Sequence, residues 1–129
     1  MPFVNLVRRV NQQAKLCIWS DMFDPHHNAV KDFYLVDGDL NGSWEGLPKD
    51  TIIINWNSEK PALSLKHFAE RGHSQVLAGY YDAPPERIRH WLDTGKDLPK
   101  SLHGAMYTTW QGNFTDLEKF AMAAWGGVQ

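Results

Sequence analysis

The chain has 129 residues, 43% of them hydrophobic, which is enough apolar material for one packed core. Its 13 basic and 15 acidic residues are spread along the sequence for a formal charge of −2, so there is no basic stripe to neutralise a phosphate backbone and nucleic acid is not an expected partner. No run approaches the roughly 20 apolar residues that cross a bilayer, and the charged-then-apolar order of a signal peptide is missing, so no membrane partner and a cytoplasmic location are expected.

At the N-terminal end, Phe3, Val7, Val10 and Ala14 recur at spacings of three and four and predict an amphipathic helix. The run Lys15 to Ser20 predicts a first strand. It contains Cys17, the single cysteine, which forms no internal disulfide and suits a reducing compartment or a buried inert position. Met22 to Asp50, with Gly38, Gly42, Gly46 and Pro48, is a long irregular stretch, and loops of that length usually serve a function or carry a small helix. Thr51 to Trp56 predicts a second strand, in which Ile52, Ile53 and Ile54 are apolar on both faces, as in a doubly covered parallel sheet. Leu65, Phe68 and Ala69 form a helical stripe closed by Gly72. Gln75 to Tyr81 predicts a third strand, and Pro84 and Pro85 open a helix in which Ile88, Trp91 and Leu92 share a face. A fourth strand, Ala105 to Trp110, precedes the last helix. There Thr115 and Glu118 are spaced as a capping box, Leu117, Phe120, Ala121 and Ala124 form the stripe, and Gly126–Gly127 closes it.

Strands alternating with helices predict an α/β fold with a parallel sheet. The strand-end aromatics Trp19, Trp56, Tyr81 and Trp110 lie about 30 residues apart, close to the repeat of a (β/α)8 barrel of about 250 residues. Residues 1–129 therefore read as a single domain of four successive β/α units, half of a TIM-type barrel, with strands near 15–20, 51–56, 75–81 and 105–110. An open flavodoxin-like sheet satisfies the same alternation, but no strand is followed by the Gly-x-Gly-x-x-Gly turn that cradles phosphate.

Barrel chemistry sits at the C-terminal strand ends, which here read Trp19-Ser20-Asp21, Trp56-Asn57, Tyr80-Tyr81-Asp82 and Thr109-Trp110-Gln111. Aromatic walls with a few carboxylate and amide groups suit a pyranose, whose C–H face packs on a ring while its hydroxyls need donors and acceptors. Trp91 and Trp125 fall on helical stripes and read as packing. Trp44 reads equally as a rim residue or a loop anchor. Asp24-Pro25-His26-His27 has no third ligand at convincing spacing, so no metal is expected, and these histidines read as rim or solvated side chains. Asn113-Phe114-Thr115 matches a glycosylation acceptor but reads as turn chemistry. No cofactor is expected.

The string Ile18-Trp19-Ser20-Asp21-Met22-Phe23, followed by a long loop, a Trp-ended strand, Tyr80-Tyr81-Asp82 and Thr109-Trp110, resembles the second half of the catalytic barrel of family 20 glycoside hydrolases, the β-N-acetylhexosaminidases and their relatives. The resemblance spans about residues 2 to 126. It implies substrate-assisted cleavage of a terminal N-acetylhexosamine, with the sugar's acetamido group as nucleophile. Tyr80 and Asp82 would take the catalytic positions that bond the acetamide or the oxazolinium intermediate. Trp19, Asp21, Trp56, Tyr81, Trp110 and Gln111 would bind substrate. Two departures stand out. Gly112 occupies the place where the family commonly has a hydroxyl-binding Glu, and no Asp-Glu dipeptide occurs anywhere in the chain, so the family's general acid is absent.

Catalysis by an Asp21/Asp82 carboxylate pair is one alternative. A non-catalytic carbohydrate-binding or assembly module is another. Four parallel strands leave two sheet edges and an inward face uncovered, which predicts a homo-oligomer or a complementing N-terminal half.

Overall fold

The computed structural model describes residues 2–35 and 37–126. Helix α1 (Pro2–Val10) leads into β1 (Cys17–Trp19). A long segment with 3₁₀ turns at Asp21–Phe23 and Ser43–Gly46 then reaches β2 (Ile52–Asn55). The remaining elements are α2 (Pro61–Glu70), β3 (Ser74–Tyr80), α3 (Arg87–Thr94), β4 (Leu102–Thr108) and α4 (Leu117–Trp125).

The four strands form one parallel sheet in the order β1-β2-β3-β4. A flavodoxin-like sheet would reverse its strand order at a switch point, and no reversal occurs. Helix α2 packs on β2 and β3, α3 on β3 and β4, and α4 on β4, while α2 with α3 and α3 with α4 pack side by side. The result is one sheet and one helix layer, the arrangement of half a β/α barrel.

The pairing register fixes which side chains meet the helices. Ile18, Ile53, Gln75, Leu77 and Gly79 point to the helix layer, and Trp19, Ile54, Val76, Ala78, Tyr80 and Thr108 line the opposite, open face. Under the helices lies a core of Leu65, Leu77, Ile88, Trp91, Phe120 and Ala124. Toward β1, Leu47 and Phe23 of the long segment extend the cover, packing with Ile18, Ile53 and Phe68 of α2 in a second cluster. At Gly79 a Cβ would fall 2.3 Å from the Phe120 ring, so glycine there lets α4 close on the sheet.

Several sequence expectations shift. The N-terminal helix stops at Val10, before Ala14, and its buried residue is Val4, whereas Phe3 and Val10 are exposed, because the side that faces the body is set by where the chain re-enters at β1. Cys17 is exposed, since β1 is an edge strand and places it on the open face. The fourth strand begins at Leu102 and ends at Thr108, ahead of Trp110. The Thr115/Glu118 capping box does not form. Asn113 Oδ1 instead accepts from the Thr115 backbone N–H at 3.0 Å, and α4 starts two residues later behind Asp116. Phe120 and Ala124 are buried, but Leu117 is exposed. Gly72, at φ +83°, closes α2 as expected. Gly127 lies outside the described residues.

A chain of buried polar side chains runs beneath α2 from one end of the sheet to the other. The wholly buried Asp24 carboxylate accepts from the Ser64 hydroxyl, from Asn57 Nδ2 at 3.3 Å and from the His26 backbone N–H at 2.8 Å. The Ser64 hydroxyl lies 3.2 Å from Asn55 Oδ1, and Asn55 Nδ2 donates to Gln75 Oε1 at 3.1 Å. Gln75 Nε2 donates to Ser101 Oγ and to the Leu65 carbonyl, and Ser101 Oγ donates to the His73 carbonyl at 2.7 Å. Each buried group thus replaces the water it loses, which is what keeps such a chain tolerable in a core.

Two histidines at α2 and its C-terminal end couple this region to pH. Burial pushes both His67 and His73 below the ordinary histidine value of 6.5. As acid is added the unfolded chain takes up protons first, so stability is full above pH 6.5 and is lost below it. Urea midpoints measured between about pH 7.5 and about pH 5 are expected to fall across that window, and His73→Gln is expected to flatten the fall.

Candidate functional site

Where parallel strands end, side chains from several strands reach solvent together, and there a cleft of about 350 Å³ opens between the β2–α2 and β3–α3 connections. Its walls include Trp56 and Glu59 from the first connection, Tyr80 from the end of β3, Asp82 from the second connection, Arg87 and Trp91 from α3 and His27 from the long segment. The polar chain beneath α2 positions part of this wall. Asp24 anchors the turn that carries His26 and His27, and Asn57, bonded to Asp24 and to the His26 carbonyl, fixes the residue next to Trp56. The Trp56 ring then stands edge-on to His27, centroids 4.5 Å apart, and 5.6 Å from Tyr80.

Tyr80 is the hub. Burial, followed by the nearby Asp21 and Asp82 carboxylates, pushes its hydroxyl above the usual phenol value, while the neighbouring Trp110 side chain works in the opposite sense. The phenol therefore stays protonated at neutral pH and remains a donor. Trp110 packs 6.1 Å from Trp19 in a tilted pair. These rings come from the two opposite edges of a sheet whose outer strands would stand about 14 Å apart if it were flat, so they meet across the open face.

Of the residues expected from the sequence, Trp56, Tyr80 and Asp82 line the cleft. Trp19 and Trp110 lie beside it through Tyr80. Asp21 also stands near Tyr80, and its carboxylate accepts from Asn28 Nδ2 at 3.2 Å. Tyr81 and Gln111 do not line the cleft. The Tyr81 backbone N–H continues the pairing with β4 by donating to the Thr108 carbonyl at 3.1 Å. Gln111 is exposed in a turn in which Thr109 Oγ1 accepts from the backbone N–H groups of Gln111 and Asn113. Trp44 is a loop anchor: its indole donates to Glu45, Arg71 stacks on its ring at 5.7 Å, and His67 meets it edge-on.

The cleft also recruits residues that periodicity assigned elsewhere. Trp91 is a core residue of α3, 4% exposed, yet it lines the cleft, and its buried Nε1 has no hydrogen-bond partner among the described residues. His27 Nδ1 is in the same condition. A helical stripe records that a residue faces inward, but not that the interior is hollow at that point. Among the described residues no group of three His, Cys, Asp or Glu side chains is placed to hold a metal ion, and no helix is long and apolar enough to cross a membrane. No family model, curated protein or solved structure matches the chain.

Proposed function

We propose that the chain carries one wall of the sugar site of a hexosaminidase-like glycoside hydrolase and binds a terminal N-acetylhexosamine. The observation that carries this reading is the meeting of Trp56, Tyr80 and Asp82 in one cleft at the C-terminal end of the sheet. Trp56 offers a ring for the apolar face of the pyranose. The protonated Tyr80 hydroxyl donates to the acetamide carbonyl, and the Asp82 carboxylate accepts from the acetamide N–H and offsets the positive charge of an oxazolinium. Asp21, Trp19 and Trp110 bound the far side of Tyr80. Without an Asp-Glu pair the chain has no general acid, so turnover requires one from a complementing half, and the chain by itself binds without cleaving. We place it in the cytoplasm, where the exposed Cys17 thiol stays reduced.

Titration calorimetry with N-acetylglucosamine is expected to give weak binding, about millimolar, with no release from a chromogenic N-acetylglucosaminide. No heat of binding at several times that concentration would sink the carbohydrate reading.

A second reading, a non-catalytic assembly module, is favoured by the sheet itself. Within the described sheet β1 and β4 each have one unpaired edge, and Trp19 and Cys17 are exposed on the open face. Self-association through that face is expected to give a dimer by light scattering. A monomer at about 100 μM would exclude it, because pairing of this kind has to compete with the about 4 to 15 kcal/mol cost of association.

A further inference from the structure

Helix α2 carries a ring that the sugar-site reading leaves without a role. His67 is half-buried, and its Nε2 is shut away from water with no hydrogen-bond partner among the described residues. Three aromatic neighbours stand edge-on to it, Phe68 at 4.9 Å, Trp44 at 5.3 Å and His26 at 6.2 Å between ring centroids. Two of these belong to the long segment. Trp44 sits in the 3₁₀ turn Ser43–Gly46, and His26 in the turn that Asp24 anchors beside the cleft. A neutral imidazole fits this seat, because its proton can occupy the other nitrogen and leave Nε2 bare, whereas an imidazolium carries N–H on both. A proton added at Nε2 would meet neither water nor an acceptor. The charges around the ring are already engaged. Arg71, one turn further along α2, stacks over Trp44 at 5.7 Å and pairs with Glu45, whose carboxylate also takes the Trp44 indole. The Asp24 carboxylate is occupied by Ser64, Asn57 and the His26 backbone N–H. Burial first, then Arg71, with His26 and His73 in the same sense and Asp24 opposing, holds His67 below the ordinary histidine value of 6.5.

We propose that His67 is a proton-operated latch: uncharged, it holds the long segment on α2 through Trp44 and His26, and charged, it lets that segment go. The closed state binds fewer protons than the released one, so it is full above pH 6.5 and gives way below it. The effect reaches the cleft, because the Asp24 turn that carries His26 also carries His27, which stands against Trp56. In acid that wall loosens and the cleft loses ligand. The link to ligand rests on the carbohydrate reading; the latch itself does not.

The test follows the indole N–H resonances of Trp44, Trp56 and Trp91 and the ring resonances of His67 in the ¹⁵N-labelled full chain from about pH 7.5 to about pH 5. Trp44 and Trp56 are identified by their loss in Trp44→Phe and Trp56→Phe, and Trp91 by through-space contacts with Ile88 and Phe120, its neighbours in the core. The expected result is that Trp44 and Trp56 move together with the His67 ring while Trp91 stays in place. His67→Phe keeps a ring in the seat and removes the proton site, and in it Trp44 is expected to stay unmoved through the same range. N-acetylglucosamine is expected to bind the parent at least about fivefold more weakly at the acid end, and His67→Phe equally at both ends. Movement of Trp44 together with Trp91 would make the change global unfolding and overturn the latch, as would a Trp44 transition that persists in His67→Phe. If that variant does not fold, the parent decides, and a Trp44 transition at a different pH from that of the His67 ring overturns the proposal. Equal affinity at both ends in the parent, with Trp44 moving, would overturn the coupling to the cleft. No sugar binding at any pH would end the carbohydrate reading and leave the latch to be judged on Trp44 alone.

Discussion

Asp24→Ala is expected to lower the stability of the chain by about 3 kcal/mol, a large share of the roughly 5 to 15 kcal/mol that holds a domain of this kind together. The side chain is wholly buried and its carboxylate receives three donors, the Ser64 hydroxyl, Asn57 Nδ2 and the His26 backbone N–H. Removing it strands them unequally. Ser64 retains Asn55 Oδ1 and Asn57 retains the His26 carbonyl, but the His26 N–H has no other acceptor among these contacts. The loss therefore combines a desolvated donor, weakened bonds at two more and a small cavity. Asp24→Asn keeps the volume and one acceptor oxygen and is expected to cost less. Urea denaturation checks both, and the His27–Trp56 contact makes a further readout, since loosening the Asp24 turn should change Trp56 fluorescence before global unfolding. An Asp24→Ala protein as stable as the parent would show that the buried polar chain contributes nothing net.

Tyr80→Phe is expected to weaken N-acetylglucosamine binding by about tenfold while leaving the fold intact. The substitution removes one hydroxyl from a half-buried position and keeps the ring that faces Trp56 at 5.6 Å. The expected pH profile is equally specific. Because burial and the Asp21 and Asp82 carboxylates raise the Tyr80 value above 10.0, the donor form persists through the alkaline range, and binding should stay level up to about pH 10. Linkage gives the matching sign for stability. A proton held more tightly by the folded state favours it until the unfolded phenol begins to ionise near pH 10.0, and that preference turns into a loss of stability as the pH rises further. Calorimetry of both proteins across that range checks the profile. Unchanged affinity in Tyr80→Phe would remove the phenol from the site.

The large elements were legible because their signals are local. Alternation of β-branched runs with helical stripes is written in short windows, so the number, order and parallel sense of the strands followed from the chain, as did the buried faces of α2 and α3 around Leu65, Phe68, Ile88 and Trp91. Strand-end aromatics were also visible, because barrel geometry names the positions that matter before any contact is known. What windows do not hold is the partner of a polar side chain. Asn55, Ser64, Gln75 and Ser101 lie far apart in the chain, in β2, α2, β3 and the turn before β4, and only packing of α2 on β2 and β3 joins them to Asp24. The same limit explains why the Thr115/Glu118 box was predicted and does not form: Asn113 Oδ1 holds the Thr115 N–H in the preceding turn, and α4 starts behind Asp116.

The sequence by itself determined the α/β alternation, the parallel sheet, the absence of an Asp-Glu pair and the aromatic character of the strand ends, all properties of residue type and spacing. Tertiary structure alone decided that Trp56, Tyr80 and Asp82 share a cleft with Trp91 and His27, whereas Tyr81 and Gln111 stand outside it. The physical reason is that a side chain's direction at a strand end depends on sheet register and on what its connecting loop is bonded to, and both are set by contacts between residues far apart in the chain.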